Sequence, residues 1–176
     1  MVGKPNHSCV FCRIAHGELS PGVVAHRDNM TAVFPSLHQQ PRNRGHMLVI
    51  PRRHVAHLYD VDADMAGPLM STLARVAAAV KEAFDADGVS VRQNNEPHGG
   101  QDIFHVHFHV VPRFNGDGFA SGPDHFPCGA VEVPIEEREL QAARLAAVLG
   151  NTKAVEPLAD PAVSPGPPGS DRDDLQ

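Results

Sequence analysis

The stretch His105-Val106-His107-Phe108-His109-Val110-Val111 alternates histidine with apolar residues. Alternation with a period of two is typical of a β-strand whose two faces have different surroundings. It predicts that the three imidazoles stand in a row on one face while Val106, Phe108 and Val110 pack into a core. A single histidine is most often a solvated or hydrogen-bonded side chain, whereas three in register on one face indicate a functional site.

The length and charge of the chain limit what it can be. A chain of 176 residues predicts one domain, which we place at residues 1–150. Residues 151–176 are rich in proline and aspartate, so we expect a disordered acidic tail. The net charge of −6 argues against binding to a nucleic acid polymer, because that requires a basic surface.

Targeting signals and cysteines indicate the compartment. No apolar run has the length of a signal peptide or a membrane span, so we expect a cytoplasmic protein without a membrane partner. Three cysteines fit a reducing compartment better than a disulfide framework. Cys9 and Cys12 form a Cys-x-x-Cys pair that indicates a metal or redox site, and Cys128 is expected to be a small buried or loop residue.

Patterns elsewhere in the chain predict an α+β fold, an antiparallel sheet of about five strands with one long helix and a C-terminal helix. Asp28-Asn29 is a turn pair between two β-forming segments. Pro68 marks either the start of the long helix or a bend in it. The predicted strands are residues 23–26, 30–34, 46–50, 89–94 and the histidine stretch; the helices run from an N-cap at Asp62 to Gly88 and from Glu136 to Leu149.

The histidine row is suited to nucleophilic chemistry. Residues two apart on a strand are separated by about 6.6 Å, so three such imidazoles cannot share one metal ion, although an adjacent pair could. A neutral imidazole with one N–H held by a fixed acceptor is a competent nucleophile. Negative charge that develops on a phosphoryl group needs donors nearby, and the Gly99-Gly100-Gln101 turn and Asn94 could supply them.

The histidine stretch resembles the signature of the histidine triad family of nucleotide hydrolases and transferases. The resemblance extends to Gly45-His46 through Ile50-Pro51, to His54, and to Asn94 with Gly100-Gln101. It implies a homodimer whose substrate is a purine nucleoside phosphate. The middle histidine, His107, would take a nucleoside monophosphate from its leaving group as a nucleotidyl-histidine, and His109 would contact phosphate or order the site. Substrate contacts are expected from Asn94, Gly100, Gln101, His46 and Asp102.

The Cys-x-x-Cys pair places the chain closest to the branch of that family with an N-terminal zinc site. The resemblance implies that Cys9, Cys12, His54 and His105 bind a structural zinc ion. Two thiolates and two imidazoles make a closed tetrahedral site, which leaves no position for substrate.

Two positions depart from the family pattern. Where members commonly have an aspartate that binds the ribose hydroxyls, this chain has Phe34-Pro35-Ser36-Leu37, so Ser36 or His38 would have to substitute. Asp102 replaces the usual serine or threonine after Gly-Gln, and it either acts as an acid on the leaving group or points away. Two further hypotheses therefore stay open: a nucleotide-binding module with little turnover, and a metal-dependent hydrolase that uses adjacent histidines.

Overall fold

The computed structural model describes residues 6–119 and 129–151. The predicted tail and Cys128 lie outside the described residues. The elements in chain order are α1 (Val10–Ala15), β1 (His26–Arg27), β2 (Thr31–Pro35), β3 (His38–Gln39), β4 (Met47–Pro51), α2 (Ala63–Ala83), β5 (Gly88–Gln93), β6 (Phe108–Arg113), β7 (Val131–Glu132) and α3 (Ile135–Asn151).

The predicted α+β class is confirmed. Five strands form an antiparallel sheet in the order β1-β2-β4-β6-β5, and β3 pairs with β7 in a separate two-stranded ribbon. One face of the sheet packs against α2 and α3 around a core that includes Val33, Val49, Phe108, Val76 and Leu145. Burial of this apolar surface is the main stabilising contribution to the domain. Val106, Phe108 and Val110 all lie in this core, as the alternation predicts.

The opposite face of the sheet is covered by the N-terminal segment over only part of its area. Phe11 and Ile14 of α1 pack on Phe34 and Leu48, which point away from the main core. The rings of Phe11 and Phe34 meet edge to face at 5.4 Å between centroids. Beyond α1 this face is open, and the groove described below lies there.

The long helix confirms its predicted start but ends at Ala83, five residues before the predicted end at Gly88. Asp62 is the N-cap, because its side chain accepts a hydrogen bond from the Met65 amide at 3.1 Å. Pro68 is the sixth residue of α2, so the helix continues through the proline. The C-terminal helix begins at Ile135 and ends at Asn151, two residues after the predicted end at Leu149.

The prediction that the histidine stretch forms one continuous strand is wrong at its start. β6 begins at Phe108, so His105 and His107 precede the ladder. The neighbouring strand β4 ends at Pro51, which has no N–H to donate. The Val106 amide instead donates to the Val55 carbonyl at 2.8 Å.

Two further predictions need correction. The first β-forming segment is a single 3₁₀ turn, Pro21–Val23, followed by the short strand β1, although the Asp28-Asn29 turn does connect β1 to β2. Residues 35–45, whose polar composition and two prolines predict a surface loop, contain β3, whose partner β7 lies about ninety positions further along the chain. No local pattern reveals a two-residue strand with so distant a partner.

None of the helices within residues 6–119 and 129–151 has both the length and the hydrophobicity needed to cross a bilayer.

Candidate functional site

Four side chains from three segments form a cluster suited to a metal ion. Cys9 and Cys12 come from the start of α1, His54 from the loop after β4, and His105 from just before β6. Their ligand atoms all lie within 4.8 Å of one another. Sγ of Cys12 lies 3.4 Å from Nδ1 of His54 and 3.5 Å from Nδ1 of His105, and Sγ of Cys9 lies 3.5 Å from the same His105 nitrogen.

These distances fit tetrahedral coordination. A tetrahedral zinc ion has bonds of about 2.3 Å to sulfur and 2.0–2.1 Å to nitrogen, so a sulfur ligand and a nitrogen ligand of the same ion lie about 3.5 Å apart. The other ring nitrogen of His105, Nε2, lies 2.9 Å from the Pro51 carbonyl. Donation to that oxygen places the proton on Nε2 and directs the Nδ1 lone pair toward the sulfurs. The four residues that the sequence assigns to a metal are therefore close enough to bind one.

Burial makes the Cys12 sulfur dependent on a nearby positive charge. Cys12 is completely buried. Burial raises the pKa of the Cys12 thiol to about 11, so at neutral pH only a cation would hold this sulfur as a thiolate.

His107 lies next to this cluster but outside it. Its Nδ1 lies 2.7 Å from the His105 carbonyl, an acceptor that places the proton on Nδ1 and leaves the lone pair on Nε2. Within the described part of the chain, Nε2 makes no hydrogen bond. Burial lowers the pKa of His107, so the ring is neutral at neutral pH. The His107 side chain is only 2 % exposed. The rings of Phe11 and His107 pack edge to face, with 5.2 Å between their centroids.

His46 and His109 form a hydrogen-bonded pair. Nε2 of His46 lies 3.0 Å from Nδ1 of His109, so one ring donates to the other. Burial lowers the pKa of His46 to about 4 and that of His109 to about 2, and the nearby Arg92 charge adds to both shifts. Gly45 positions His46: its φ is +98°, and a Cβ there would lie 2.7 Å from the Phe84 ring, so only glycine fits.

A groove of about 210 Å³ lies on the open face of the sheet, beside this pair. The ring centroids of His109 and His107 lie 4.8 Å apart. His109 lines the groove, whereas His107 is next to His109 and is not one of the lining residues. The described residues lining the groove are Ser36, His38, Gln40, His46, Arg92, Asn94, Asp102, His109, Val111, Phe119 and Ala130. Four of the predicted or substitute site residues, Ser36, His38, Asn94 and Asp102, therefore lie around one cavity with His46 and His109.

The glycine-rich turn differs from the expected phosphate cradle. The amides of Gly99, Gly100 and Gln101 all donate within the turn, to the carbonyls of Glu96 and Pro97. The Gln101 side chain is buried and bonds the Ala56 carbonyl at 2.7 Å and the Glu96 amide at 2.9 Å. The turn satisfies its own donors, so these groups brace the loop that carries Asp102 and do not face the groove.

Other predicted contacts are placed as follows. Asn94 lines the groove and donates to the Gly100 carbonyl at 3.3 Å. Asp102 is exposed and lines the groove. Ser36 and His38 both line the groove, and the Ser36 hydroxyl donates to the His38 carbonyl at 2.9 Å. Neither is distinguished as the ribose contact.

Three contributors were not predicted. Arg92 and Phe119 line the groove, and Phe11 covers His107. Phe119 lies beyond the strands, and no local signal identifies it. The sequence did contain a signal for Arg92, because Arg92 lies two residues before Asn94 in the predicted strand 89–94, and residues two apart on a strand share a face.

Comparison with known proteins agrees with this geometry. The chain is 28% identical over 136 residues to adenosine 5'-monophosphoramidase hnt1 of Schizosaccharomyces pombe, covering 77% of this chain and 97% of that protein. It is 32% identical over 111 residues to adenylylsulfatase HINT3 of Arabidopsis thaliana, covering 63% of this chain and 55% of that protein.

Solved structures show the same fold. A zinc-bound histidine triad family protein from Mycobacterium smegmatis superposes with a TM-score of 0.64 at 31% identity, covering 82% of this chain and 94% of that one. Residues 17–116 match the HIT domain, which is more than half of the chain. The chain therefore belongs to the HIT domain family.

Proposed function

We propose that this protein is an enzyme that hydrolyses or transfers a nucleoside monophosphate, taking it from a phosphoanhydride or a phosphoramidate through a covalent intermediate on His107. Two similar proteins, the monophosphoramidase and the adenylylsulfatase, bear names that describe cleavage of bonds of these two kinds. The observation that carries the proposal is the hydrogen bond from His107 Nδ1 to the His105 carbonyl, because it leaves Nε2 unprotonated beside the groove.

The reaction would proceed in two displacements at phosphorus. His107 Nε2 forms a bond to the phosphorus, and the bond to the leaving oxygen or nitrogen breaks with its electron pair. Asp102 lines the same groove and, when protonated, could supply a proton to the departing atom. Water then attacks the nucleotidyl-histidine, the P–N bond breaks, and the imidazole returns to its neutral form.

The neighbouring histidine pair would bind the phosphoryl oxygens without adding charge. The pKa values of about 4 and about 2 keep His46 and His109 neutral at neutral pH, with burial as the main cause. If His46 donates to His109 Nδ1, the His109 proton lies on Nε2 and can be donated to a phosphoryl oxygen. Asn94 is a second donor in the groove wall.

The low exposure of His107 sets a condition on this mechanism. A phosphoryl group reaches Nε2 only if a neighbour moves, and the rings of Phe11 and His109 contact His107 from two sides. Substrate entry therefore requires one of them to shift. The same burial supports the second hypothesis, a nucleotide-binding module with little turnover, because such a protein would keep His107 enclosed.

We also propose that the cluster of Cys9, Cys12, His54 and His105 binds zinc and that the role of the metal is structural. The four ligand atoms lie within 4.8 Å of one another, and a tetrahedral ion held by all four would have no open position for substrate. His107 and His109 lie outside this cluster, so an adjacent-histidine hydrolase site receives no support among the described residues. A homodimer and a purine substrate stay predictions from the family resemblance, and a cytoplasmic location stays a prediction from the sequence.

The test is to trap the intermediate. The protein is mixed with a dinucleoside polyphosphate or a phosphoramidate of AMP and quenched in alkaline denaturant, because a P–N bond to histidine hydrolyses in acid. Intact mass should increase by one nucleoside monophosphate, located at His107 by peptide mapping. His107→Ala should lose the adduct and lower the rate of nucleoside monophosphate release by at least about 10³-fold.

A control and a contradicting result complete the experiment. His7→Ala removes a side chain that is 75% exposed and should retain full activity. Nucleotide binding to wild-type protein without adduct or turnover would favour the binding-module hypothesis. Release of nucleoside monophosphate by His107→Ala at the wild-type rate would contradict the proposal.

A further inference from the structure

We propose that Arg92 binds a negatively charged group of the substrate beyond the reacting phosphorus, so that the enzyme prefers nucleotides with an anionic leaving group. This inference rests on the proposed function and narrows its substrate class. Dinucleoside polyphosphates and mixed anhydrides of AMP have such leaving groups, whereas simple phosphoramidates release an amine.

The sheet places Arg92 beside the histidine pair. On β5, Arg92 is the direct cross-strand partner of His109 on β6. Side chains of directly opposed residues point to the same face, with Cβ atoms about 4.5–5.5 Å apart. Arg92 and His109 both line the groove. A group bound between Arg92 and His109 would lie close to His107, which is two residues before His109 in the chain.

The guanidinium is held at the groove wall. Its Cζ lies 5.7 Å from the centroid of the Phe119 ring, within the range of a cation–π interaction. The side chain is half-buried, and a charge that is partly removed from water attracts an anion more strongly than an exposed one. Burial lowers the pKa of Arg92, but an arginine remains charged at neutral pH.

The formal charges of the groove are separated. Among the described residues that line it, Arg92 is the one lysine or arginine and Asp102 is the one carboxylate. An anionic substrate group inside the groove therefore has one strong cationic partner.

The two charges lie on different parts of the groove wall. Arg92 is on β5, directly opposite His109, whereas Asp102 is in the loop between the glycine-rich turn and His105. An extended anion is repelled by Asp102 and is favoured only if its charge lies toward Arg92.

The test compares two AMP substrates that differ in the charge of the leaving group. One is a dinucleoside tetraphosphate, and the other is an AMP phosphoramidate of an uncharged alkylamine. Arg92→Gln should lower kcat/KM for the tetraphosphate about 10- to 100-fold, the usual loss for one charge-assisted hydrogen bond, and change that of the phosphoramidate less than about threefold. Arg92→Lys should restore most of the loss.

The matched control is Arg27→Gln. Arg27 is exposed on β1, the edge strand at the opposite side of the same sheet, so its loss changes the net charge equally and should leave both substrates unaffected. Equal losses for both substrates in Arg92→Gln, or no loss for either, would overturn the inference. Thermal unfolding of both variants checks that the fold is intact.

A binding experiment separates this inference from the proposed reaction. In a His107→Ala background the substrates stay intact, and calorimetry measures their Kd directly. The tetraphosphate should bind about 10- to 100-fold more weakly when Arg92→Gln is added, while the phosphoramidate should not change by more than about threefold. If wild-type protein shows no turnover but this difference persists, the enzyme assignment fails and the Arg92 site stands. If turnover occurs without the difference, the Arg92 site fails alone.

Discussion

His105 and His107 are separated by a single valine, yet they belong to regions that use a histidine in opposite ways. Both ring nitrogens of His105 are committed, Nδ1 to the cysteine sulfurs and Nε2 to the Pro51 carbonyl. In His107 only Nδ1 is committed, to the His105 carbonyl. The difference teaches that the atoms around each nitrogen, more than the residue type, decide whether an imidazole holds the scaffold or is available for chemistry.

The largest effect should come from breaking the metal cluster. Cys12→Ser is expected to lose the bound metal and lower the free energy of unfolding by at least about 3 kcal/mol, a fraction of the roughly 10–16 kcal/mol with which peptide zinc fingers bind their ion. The physical reason is that the cluster ties α1 to the segments before β6 and after β4. Metal analysis and urea unfolding measure both effects.

Two further variants sharpen the separation between the regions. Cys128→Ser removes the third cysteine and should retain one metal per chain. His107→Ala should also retain the metal and its stability while losing turnover. Retention of both metal and stability by Cys12→Ser, or loss of the metal from His107→Ala, would contradict the assignment of His105 to the metal cluster and His107 to the reaction.

A change of pH should have a medium effect on the free energy of unfolding, because the groove histidines are buried in their neutral form. Burial holds the pKa of His46 near 4 in the folded protein, against about 6.5 when unfolded. Between these values the unfolded state binds more protons, so stability falls as the pH falls from 7 toward 4. For His46 alone the loss between pH 7 and pH 5 is about 1–2 kcal/mol.

The measurement is a set of urea unfolding curves at pH 7, 6 and 5. His46→Gln keeps a polar side chain in the groove but cannot be protonated, so its stability should fall less steeply than that of wild-type protein. Because the other buried histidines are present in both proteins, the difference isolates His46. Parallel curves for the two proteins would show that His46 titrates normally and is not held neutral by the fold.

The smallest effect is expected at Asp102. Its carboxylate is exposed on the groove, so it repels an incoming nucleotide only weakly through solvent. Asp102→Asn should lower KM about two- to fivefold at low salt, with the difference fading as salt screens the charge, and change kcat less than about threefold. Steady-state kinetics at two ionic strengths measure this.

The same variant also tests a different role for Asp102. A kcat reduced about 100-fold or more, independent of salt, would show that Asp102 protonates the leaving group. In that case the acidic end of the groove would take part in the chemistry and not only shape its electrostatics.

Local sequence patterns were sufficient for much of the fold. The period of two placed Val106, Phe108 and Val110 in the core, and the helical period with the Asp62 cap located α2. These patterns succeed because the alternation of side chains along a strand or helix is a local property of the backbone. The resemblance to the histidine triad family, which rests on motifs in the chain, likewise named the four residues that lie together in the metal cluster.

Tertiary contacts decided the rest. The histidine strand starts at Phe108, because Pro51 on the neighbouring strand offers no N–H and the Val106 amide is taken by Val55. Arg92 enters the groove through its register with His109, and the glycine-rich turn uses its own amides. The sequence by itself determined which residues face which side of each element. Only the three-dimensional structure decided where ladders end and which polar groups are already paired, because those depend on partners far apart in the chain.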